Sequence, residues 1–244
     1  MAKIDKSKYT KEEWRKVREQ RRLEKQLSKN PIPENFEFIQ GPTKNIGLQK
    51  KRNAFVLGNG TSRSTIDLES LRPYGNIYAC NAVYRTFSPD YLVAVDTKMI
   101  LEINKSGYQK KHEVWTNPNK AYTKMQGFNY FNPSKGWSSG PTALWLASQH
   151  GYETIYILGF DFRGLDEGTK FNNVFADTVN YKKSTDGATF FGNWLRQTKS
   201  VVQQHHSIRY IRVIAPDNYQ PEELNKFNNY STITLETFKK IHGF

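Results

Sequence analysis

The chain is poor in several features that define whole classes of protein. It contains a single cysteine, Cys80, among 244 residues, so no disulfide can form within it. Cys80 lies in an apolar segment, where we expect a buried structural thiol rather than a nucleophile. No stretch approaches the ~20 apolar residues of a membrane-spanning helix, and the first residues lack the apolar segment of a signal peptide. We therefore expect a globular, soluble, cytoplasmic protein.

Side chains with the spacing of a metal site are also missing. The five histidines show no metal-ligand spacing with cysteine or carboxylate, and the chain has no Asp-x-Asp pair. The sequence therefore specifies no metal site.

Negative charge is scarce relative to positive charge. There are 36 Lys and Arg against 23 Asp and Glu, a formal net charge of +13, while 37% of the residues are apolar. Residues 1–30 alone carry 11 basic and 5 acidic side chains. The composition supports one main folded domain, and the charge favours an anionic partner such as nucleic acid, an anionic glycan or a phosphorylated cosubstrate.

A basic helix is predicted near the start of the chain, from Thr10 to Ser28, because Thr10 and Glu13 form a capping box ahead of a run without Gly or Pro. Pro31 and Pro33 break this pattern, and a polar linker follows. We divide the chain into a basic helical arm and linker, residues 1–52, and a folded domain, residues 53–244. A solvated helix without a specific partner explains the arm equally well.

Within the domain, short apolar segments alternate with helical patterns. The predicted strands are Ala54 to Leu57, Asn76 to Cys80, Tyr91 to Val95, Thr154 to Leu158 and Ile208 to Ile214, with weaker candidates at His112 to Trp115 and Phe128 to Phe131. The predicted helices are Ile66 to Leu71, Thr97 to Asn104, Thr142 to Ser148 and Ala188 to His205, and residues 163–187 form a polar loop. This alternation predicts a Rossmann-like, doubly wound α/β fold with a mostly parallel sheet.

Glycine and polar residues follow the predicted strands where each one ends. The residues at these ends are Gly58, Asn59, Gly60, Thr61 and Ser62 after the first strand, Asn81 after the second, Asp96 after the third, and Gly159 with Asp161 after the Thr154 strand. Ligands of parallel sheets bind at this carboxyl edge, so we expect a nucleotide pocket there. An ordinary turn with a helix cap explains the glycine loop and Asp96 as well, if each is taken alone.

Phosphate-binding groups are predicted beside that edge. Ser138, Ser139 and Gly140 precede a helix, whose N-terminus presents free N–H groups and partial positive charge to an anion. Arg163 follows the Asp161 turn, where a cation can neutralise a phosphate.

Four segments resemble, in order and approximate spacing, the CMP-sialic-acid-dependent sialyltransferases that build bacterial lipooligosaccharide. They are residues 58–62, 78–81, 138–140 and 151–162, and they are also similar to motility accessory factors and 6-hydroxymethylpterin diphosphokinases. The resemblance covers residues 54–215. It implies a GT-A-like fold, metal-independent sugar transfer, and nucleotide contacts from Asn59, Ser62, Asn81, Ser139 and Gly140.

The same resemblance implies a histidine general base, and this chain departs from the family there. The matching position is Tyr181, and a tyrosine with a pKa near ~10 is a poor base at neutral pH. Asp161, Asp177 and Asp186 are alternative bases. Asp96 and Arg163 also replace the family's usual residues at their positions.

Three functions are compatible with these features. The first is a glycosyltransferase that uses a nucleotide-activated donor such as a CMP-sugar, needs no cofactor, and modifies an acceptor hydroxyl on modified DNA or a surface glycan. The second is a diphosphotransferase with Mg²⁺ held by Asp96 and Asp161. The third is a non-catalytic protein that binds nucleic acid or a virion surface. A homo-oligomer is compatible with each.

Overall fold

The computed structural model describes residues 52–122, 124–217 and 219–243, together with Thr10, Glu13 and Trp14. At the start of the predicted arm, the Thr10 amide donates to Glu13 Oε2 at 2.9 Å and the Glu13 amide donates to Thr10 Oγ1 at 3.4 Å. This confirms the capping box. The rest of the arm and the linker up to residue 51 lie outside the described residues.

Eight strands build one sheet. They are β1 Asn53–Leu57, β2 Gly75–Cys80, β3 Tyr91–Val93, β4 Val114–Thr116, β5 Phe128–Tyr130, β6 Thr154–Leu158, β7 Arg209–Ile214 and β8 Tyr230–Thr234. All pairings are parallel, and the strand order is β5-β4-β3-β2-β1-β6-β7-β8. The predicted parallel α/β fold is confirmed.

The structure describes five α-helices in residues 52–243; four lie between strands and the last follows β8. They are α1 Thr97–Ser106, α2 Ser139–Gln149, α3 Gly192–Gln204, α4 Glu222–Asn225 and α5 Leu235–His242. Side chains alternate between the two faces of a strand: Phe55 and Leu57 of β1 pack in a core with α1 and α5, whereas Ala54 and Val56 pack in a second core with α2 and α3. Helices therefore cover both faces, as a doubly wound fold requires. None of the described helices has the length and apolar character to cross a membrane.

The order of connections reverses on either side of β1. This strand pairs with β2 on one edge and with β6 on the other, so that Leu57 lies opposite both Ala79 and Leu158. The chain winds outward from β1 to β5, then returns to β6 and winds the other way. Such a switch in strand order opens a crevice at the carboxyl ends of the strands.

Several predicted bounds were wrong. The helix expected over Ile66 to Leu71 is only a 3-10 turn at Glu69–Leu71, because the Asp67 carboxylate accepts a hydrogen bond from the Glu69 amide and favours a turn. The helix expected from Ala188 begins at Gly192, since the Ala188 amide donates instead to Thr169 O at 2.9 Å.

The last strand and helices were not predicted. In β8 only Tyr230 is buried, so this edge strand lacks the run of apolar residues that marks the inner strands. The segment predicted as a polar loop, residues 163–187, contains antiparallel bridges from Lys170 to Leu165 and to Gly187. Cys80 is buried as predicted, and burial raises the pKa of its thiol to about 12.

The backbone just after β1 passes close to the backbone just after β6, and this contact predicts a stability difference between two glycine variants. In Gly58→Ala the new Cβ lies 2.4 Å from Gly159 O, so the backbone must shift. We expect a loss of about 1–3 kcal/mol in the free energy of unfolding, measured by urea denaturation. Gly187→Ala is the control, because its Cβ meets no atom within 4 Å. Equal loss in both variants would contradict the prediction.

Candidate functional site

A cleft of about 460 Å³ lies at the carboxyl ends of the central strands, within the ~300–1,000 Å³ range of small-molecule sites. Eleven of the residues predicted from the sequence line it: Gly58, Asn59, Gly60, Asn81, Asp96, Ser138, Ser139, Gly140, Gly159, Asp161 and Arg163. Five predicted residues do not line it: Thr61, Ser62, Asp177, Tyr181 and Asp186. The structure thus brings most of the predicted binding residues to one place.

Glycine is required where the glycine loop, residues 58–62, passes the turn that follows β6, residues 159–162 (the β6 turn). The Gly58 amide donates to Leu158 O at 2.8 Å, and the Gly60 amide donates to Gly159 O at 2.9 Å. Gly159 has φ of 68°, a left-handed conformation that disfavours other residues. A Cβ at Gly60 would lie 2.4 Å from Asp161 Oδ2. The backbones of the two turns are therefore in direct contact, and the cleft lies beside them.

Asp161 clamps the glycine loop. Its Oδ2 accepts hydrogen bonds from the Ser62 amide at 3.1 Å and from Asn172 Nδ2 at 3.0 Å, and its Oδ1 accepts one from the Ser62 hydroxyl. The residue is only 8% exposed. Because both carboxylate oxygens are engaged by the protein, this environment favours a structural role for Asp161 over its predicted role as a base.

Asn172 is a central residue that the sequence reasoning missed. Its Oδ1 accepts from the Thr61 amide at 2.9 Å and from the Thr61 hydroxyl at 2.8 Å, while its Nδ2 also donates to Arg163 O at 2.9 Å. It therefore ties segment 163–187 to the glycine loop through Thr61, whereas Ser62 is bonded to Asp161. An asparagine inside a polar stretch carries no sequence signal for such a role.

The predicted base Asp177 is exposed, and its Oδ1 accepts from the Ser184 amide at 3.1 Å. The two other predicted bases are placed differently. The Tyr181 hydroxyl lies 3.4 Å from Asn59 Nδ2 and 3.4 Å from the Ala82 amide, both donors to it. Burial raises the pKa of Tyr181, so the phenol keeps its proton at neutral pH. Asp186 is exposed, and its Oδ2 accepts from the Lys183 amide at 2.9 Å. Neither environment favours general-base chemistry in the cleft.

A buried arginine lies behind the glycine loop. Arg63 is 7% exposed, its Nε donates to Gly58 O, and its Nη2 donates to Asn59 Oδ1 at 3.3 Å. Burial lowers the pKa of Arg63. Asn59 Nδ2 also donates to Cys80 O at 3.4 Å. The Asn59 side chain is thus engaged at both ends and acts as a support of the cleft.

A second buried arginine supports the β6 turn. Arg212 of β7 is 1% exposed, donates to Phe160 O at 2.8 Å and to Tyr219 O, and lies over the Phe162 ring at 5.5 Å. Neither it nor Arg63 makes an ion pair within the described ranges. Arg63 interacts electrostatically with the Asp161 carboxylate, which partly offsets its charge, whereas Arg212 donates to backbone carbonyl groups.

Asn81 presents a polar atom without a partner. It adopts φ of 55°, a conformation that asparagine tolerates, and it lines the cleft. Its Oδ1 is buried and accepts no hydrogen bond from the described part of the chain. An unsatisfied buried acceptor costs about 1–3 kcal/mol, which a ligand N–H or O–H donor would recover.

The N-terminus of α2 is open toward the cleft. Ser138 makes no side-chain cap, and Ser139 Oγ instead accepts from the Val95 amide at 3.1 Å, which joins the end of β3 to this helix. The backbone N–H groups of Ser139 and Gly140 donate to no acceptor among the described residues. They remain for an anion at the positive end of the helix.

An aromatic and basic wall faces the glycine loop. Trp137, Phe191 and Trp194 line this side of the cleft together with Arg196. Phe190 is 76% exposed and stacks on Phe191 with ring centroids 6.4 Å apart. Aromatic faces beside a cation suit a planar ring that carries an anionic group.

Metal ligands do not converge in the part of the chain that the structure describes, where no three His, Cys, Asp or Glu side chains form a group. No protein-family model, curated protein or solved structure matches the chain. The structure defines a class, a doubly wound α/β protein with a cleft at its switch point. Its chemistry follows from the residues of that cleft.

Segment 163–187 is also anchored at its far end. Arg85 forms an ion pair with Glu102 of α1 at 2.6 Å and donates to Thr178 Oγ1 at 2.9 Å and to Val179 O at 2.8 Å. Asn180 Nδ2 donates to Glu102 Oε2 at 2.7 Å. The hydrogen bond from Arg85, with smaller contributions from Tyr84 and Asn180, lowers the pKa of Glu102 to about 2.

This anchor predicts acid-dependent stability. A carboxylate whose pKa is lower in the folded than in the unfolded state stabilises the fold above its usual pKa of 4.5, and this contribution is lost as the pH falls toward about 2. We expect Glu102→Gln to lower the free energy of unfolding by roughly 1–2 kcal/mol at pH 7, with a difference from wild type that shrinks below pH 4.5 in denaturant titrations.

Glu153→Gln is the matched control for that experiment. Glu153 pairs with Arg52 at 3.1 Å, but the two side chains are 64% and 79% exposed. Such pairs contribute little, so we expect a change within about 0.5 kcal/mol. Equal losses of unfolding free energy in the two variants at pH 7 would show that the Arg85–Glu102 pair stabilises the fold no more than an exposed ion pair does.

Proposed function

We propose that this protein is a glycosyltransferase that takes its sugar from a nucleotide-activated donor of the CMP-sugar type. One observation carries the proposal: the N–H groups at the start of α2 open onto a cleft that is also lined by Asn81, whose buried Oδ1 has no partner among the described residues. This combination suits a phosphate attached to a nucleoside that offers N–H or O–H donors.

The cations support departure of a nucleotide. When the glycosidic C–O bond of such a donor breaks, negative charge grows on the phosphate oxygen that leaves. The N–H groups of Ser139 and Gly140 and the side chains of Arg163 and Arg196 line the cleft, where they stabilise that charge. Arg163 also pairs with Asp217 at 3.5 Å, and Arg63 is buried behind the glycine loop. The proposal therefore requires no metal.

The wall of Trp137, Phe191 and Trp194 completes the proposed site. If the phosphate of the nucleotide-sugar binds at α2, this wall is available to a ring, either the nucleobase or a sugar of the acceptor. The excess of positive charge favours an anionic acceptor, such as a nucleic acid or an acidic glycan.

A diphosphotransferase is less well supported. Mg²⁺ prefers oxygen ligands and is held by one or two carboxylates plus substrate phosphates. Of the two carboxylates in the cleft, Asp161 is engaged by Ser62 and Asn172, which leaves Asp96 for a metal. The residues present thus suit metal-independent transfer better.

A ligand screen tests the proposed function. Thermal unfolding is followed with CMP, UDP, GDP, ADP and their sugars, each with Mg²⁺ and with a chelator. We expect a cytidine nucleotide to raise the melting temperature equally under both conditions, because a ligand bound only by the folded state stabilises it. Stabilisation that needs Mg²⁺ and adenine or guanine nucleotides would support the diphosphotransferase. No shift with any nucleotide would favour a non-catalytic protein.

Asn81→Gly gives a sharper test of the pocket. Glycine keeps the left-handed backbone and removes the Oδ1 acceptor, so the loss of one hydrogen bond should weaken CMP binding about 5–10-fold in calorimetry. Asp166→Gly is the control, since Asp166 also has positive φ, 49°, but lies outside the lining of the cleft. Unchanged CMP affinity in Asn81→Gly would remove this residue from the nucleotide site.

A further inference from the structure

Asp96 occupies a position where aspartate usually caps a helix. It directly precedes α1, and a residue there normally accepts a hydrogen bond from the first N–H groups of the helix. Asp96 makes no such bond. Its side chain lines the cleft instead and forms no hydrogen bond or ion pair with the residues that the structure describes. Helix capping therefore does not explain why an aspartate precedes α1.

The groups around Asp96 do not compensate its charge. Those that interact with it electrostatically are Cys80 at the end of β2, Tyr122 before β5, and Tyr181 of segment 163–187, all uncharged at neutral pH. Partial burial in this setting raises the pKa of Asp96. A carboxylate kept in a ligand cleft without a cation or a donor is a candidate for chemistry.

The other candidate bases are otherwise occupied. Both oxygens of Asp161 accept hydrogen bonds from the protein, the Tyr181 hydroxyl accepts from two N–H groups, and Asp177 and Asp186 lie outside the lining. We infer that Asp96 is the general base of the reaction, the group that takes the proton from the acceptor hydroxyl. This inference rests on the proposed glycosyltransferase function.

The reaction needs only the two substrates and the Asp96 carboxylate. A lone pair of the acceptor oxygen forms the bond to the anomeric carbon while its proton passes to the Asp96 carboxylate. The bond from that carbon to the phosphate oxygen breaks, and its electron pair leaves with the nucleotide. Attack opposite the leaving group inverts the anomeric centre. The proton is then released from Asp96 to solvent.

Donor hydrolysis provides an assay, because water is an acceptor that also needs a base. Nucleotide release is measured from CMP-sialic acid, and in parallel from UDP-glucose and GDP-mannose, in the presence of a chelator. We expect Asp96→Ala and Asp96→Asn to lower the rate by on the order of 10²–10⁴-fold, with CMP affinity in calorimetry unchanged. Glu236→Ala, which removes an exposed carboxylate of α5, should match wild type.

Azide distinguishes a base from a structural residue. It attacks carbon without giving up a proton, so added azide should restore nucleotide release in Asp96→Ala and yield a glycosyl azide. It should not accelerate wild type, where the carboxylate repels the anion. A rate in Asp96→Ala equal to wild type, no azide rescue, or weaker CMP binding in both variants would overturn the assignment.

Failure of the underlying function gives a different result. If wild type neither binds CMP nor releases nucleotide from any of the three donors, the glycosyltransferase proposal fails, and the role of Asp96 fails with it. If CMP binds and a donor is hydrolysed at rates that do not depend on residue 96, only the role of Asp96 is lost.

Discussion

The hydrogen bonds to the Asp161 carboxylate join three segments of the chain at one point. They connect the glycine loop through Ser62, the β6 turn through Asp161 itself, and segment 163–187 through Asn172. The glycines leave no room for side chains at this crossing, and the carboxylate adds to the backbone hydrogen bonds that Gly58 and Gly60 donate to the end of β6 and the residue after it. The shape of the cleft depends on this buried group, because its removal would leave several donors unsatisfied.

Polar groups around the cleft fall into two sets. Asn59, Asp161, Asn172 and Arg63 hydrogen-bond to the protein and build the walls. Asn81 Oδ1, Asp96 and the first N–H groups of α2 have no such bonds within the described residues. The second set comprises the groups that the proposed ligand would contact, because hydrogen bonds within the protein do not use them.

The sequence predicted much of the fold and part of the site. Buried strands such as Thr154–Leu158 are marked by continuous β-branched and apolar residues, and the rule for parallel sheets then places Gly58, Asn81 and Gly159 at one edge. It favoured Asp161 as a base and explained Asp96 equally well as a helix cap, because the hydrogen-bond partners of the two carboxylates cannot be predicted from the residues beside them. Their difference arises from Ser62 and Asn172, contacts over 99 and 11 residues of chain. The burial of Arg63 and Arg212 is likewise a product of tertiary packing.

The single thiol makes part of this site observable. Cys80 lines the cleft, is 4% exposed, and its carbonyl accepts from the Asn59 side chain. Its high pKa and burial make it inert to alkylating reagents in the closed structure. With no other cysteine in the chain, each labelling event reports one opening of the region where β2 meets the glycine loop. The rate at which Cys80 is alkylated therefore measures how often this side of the cleft opens.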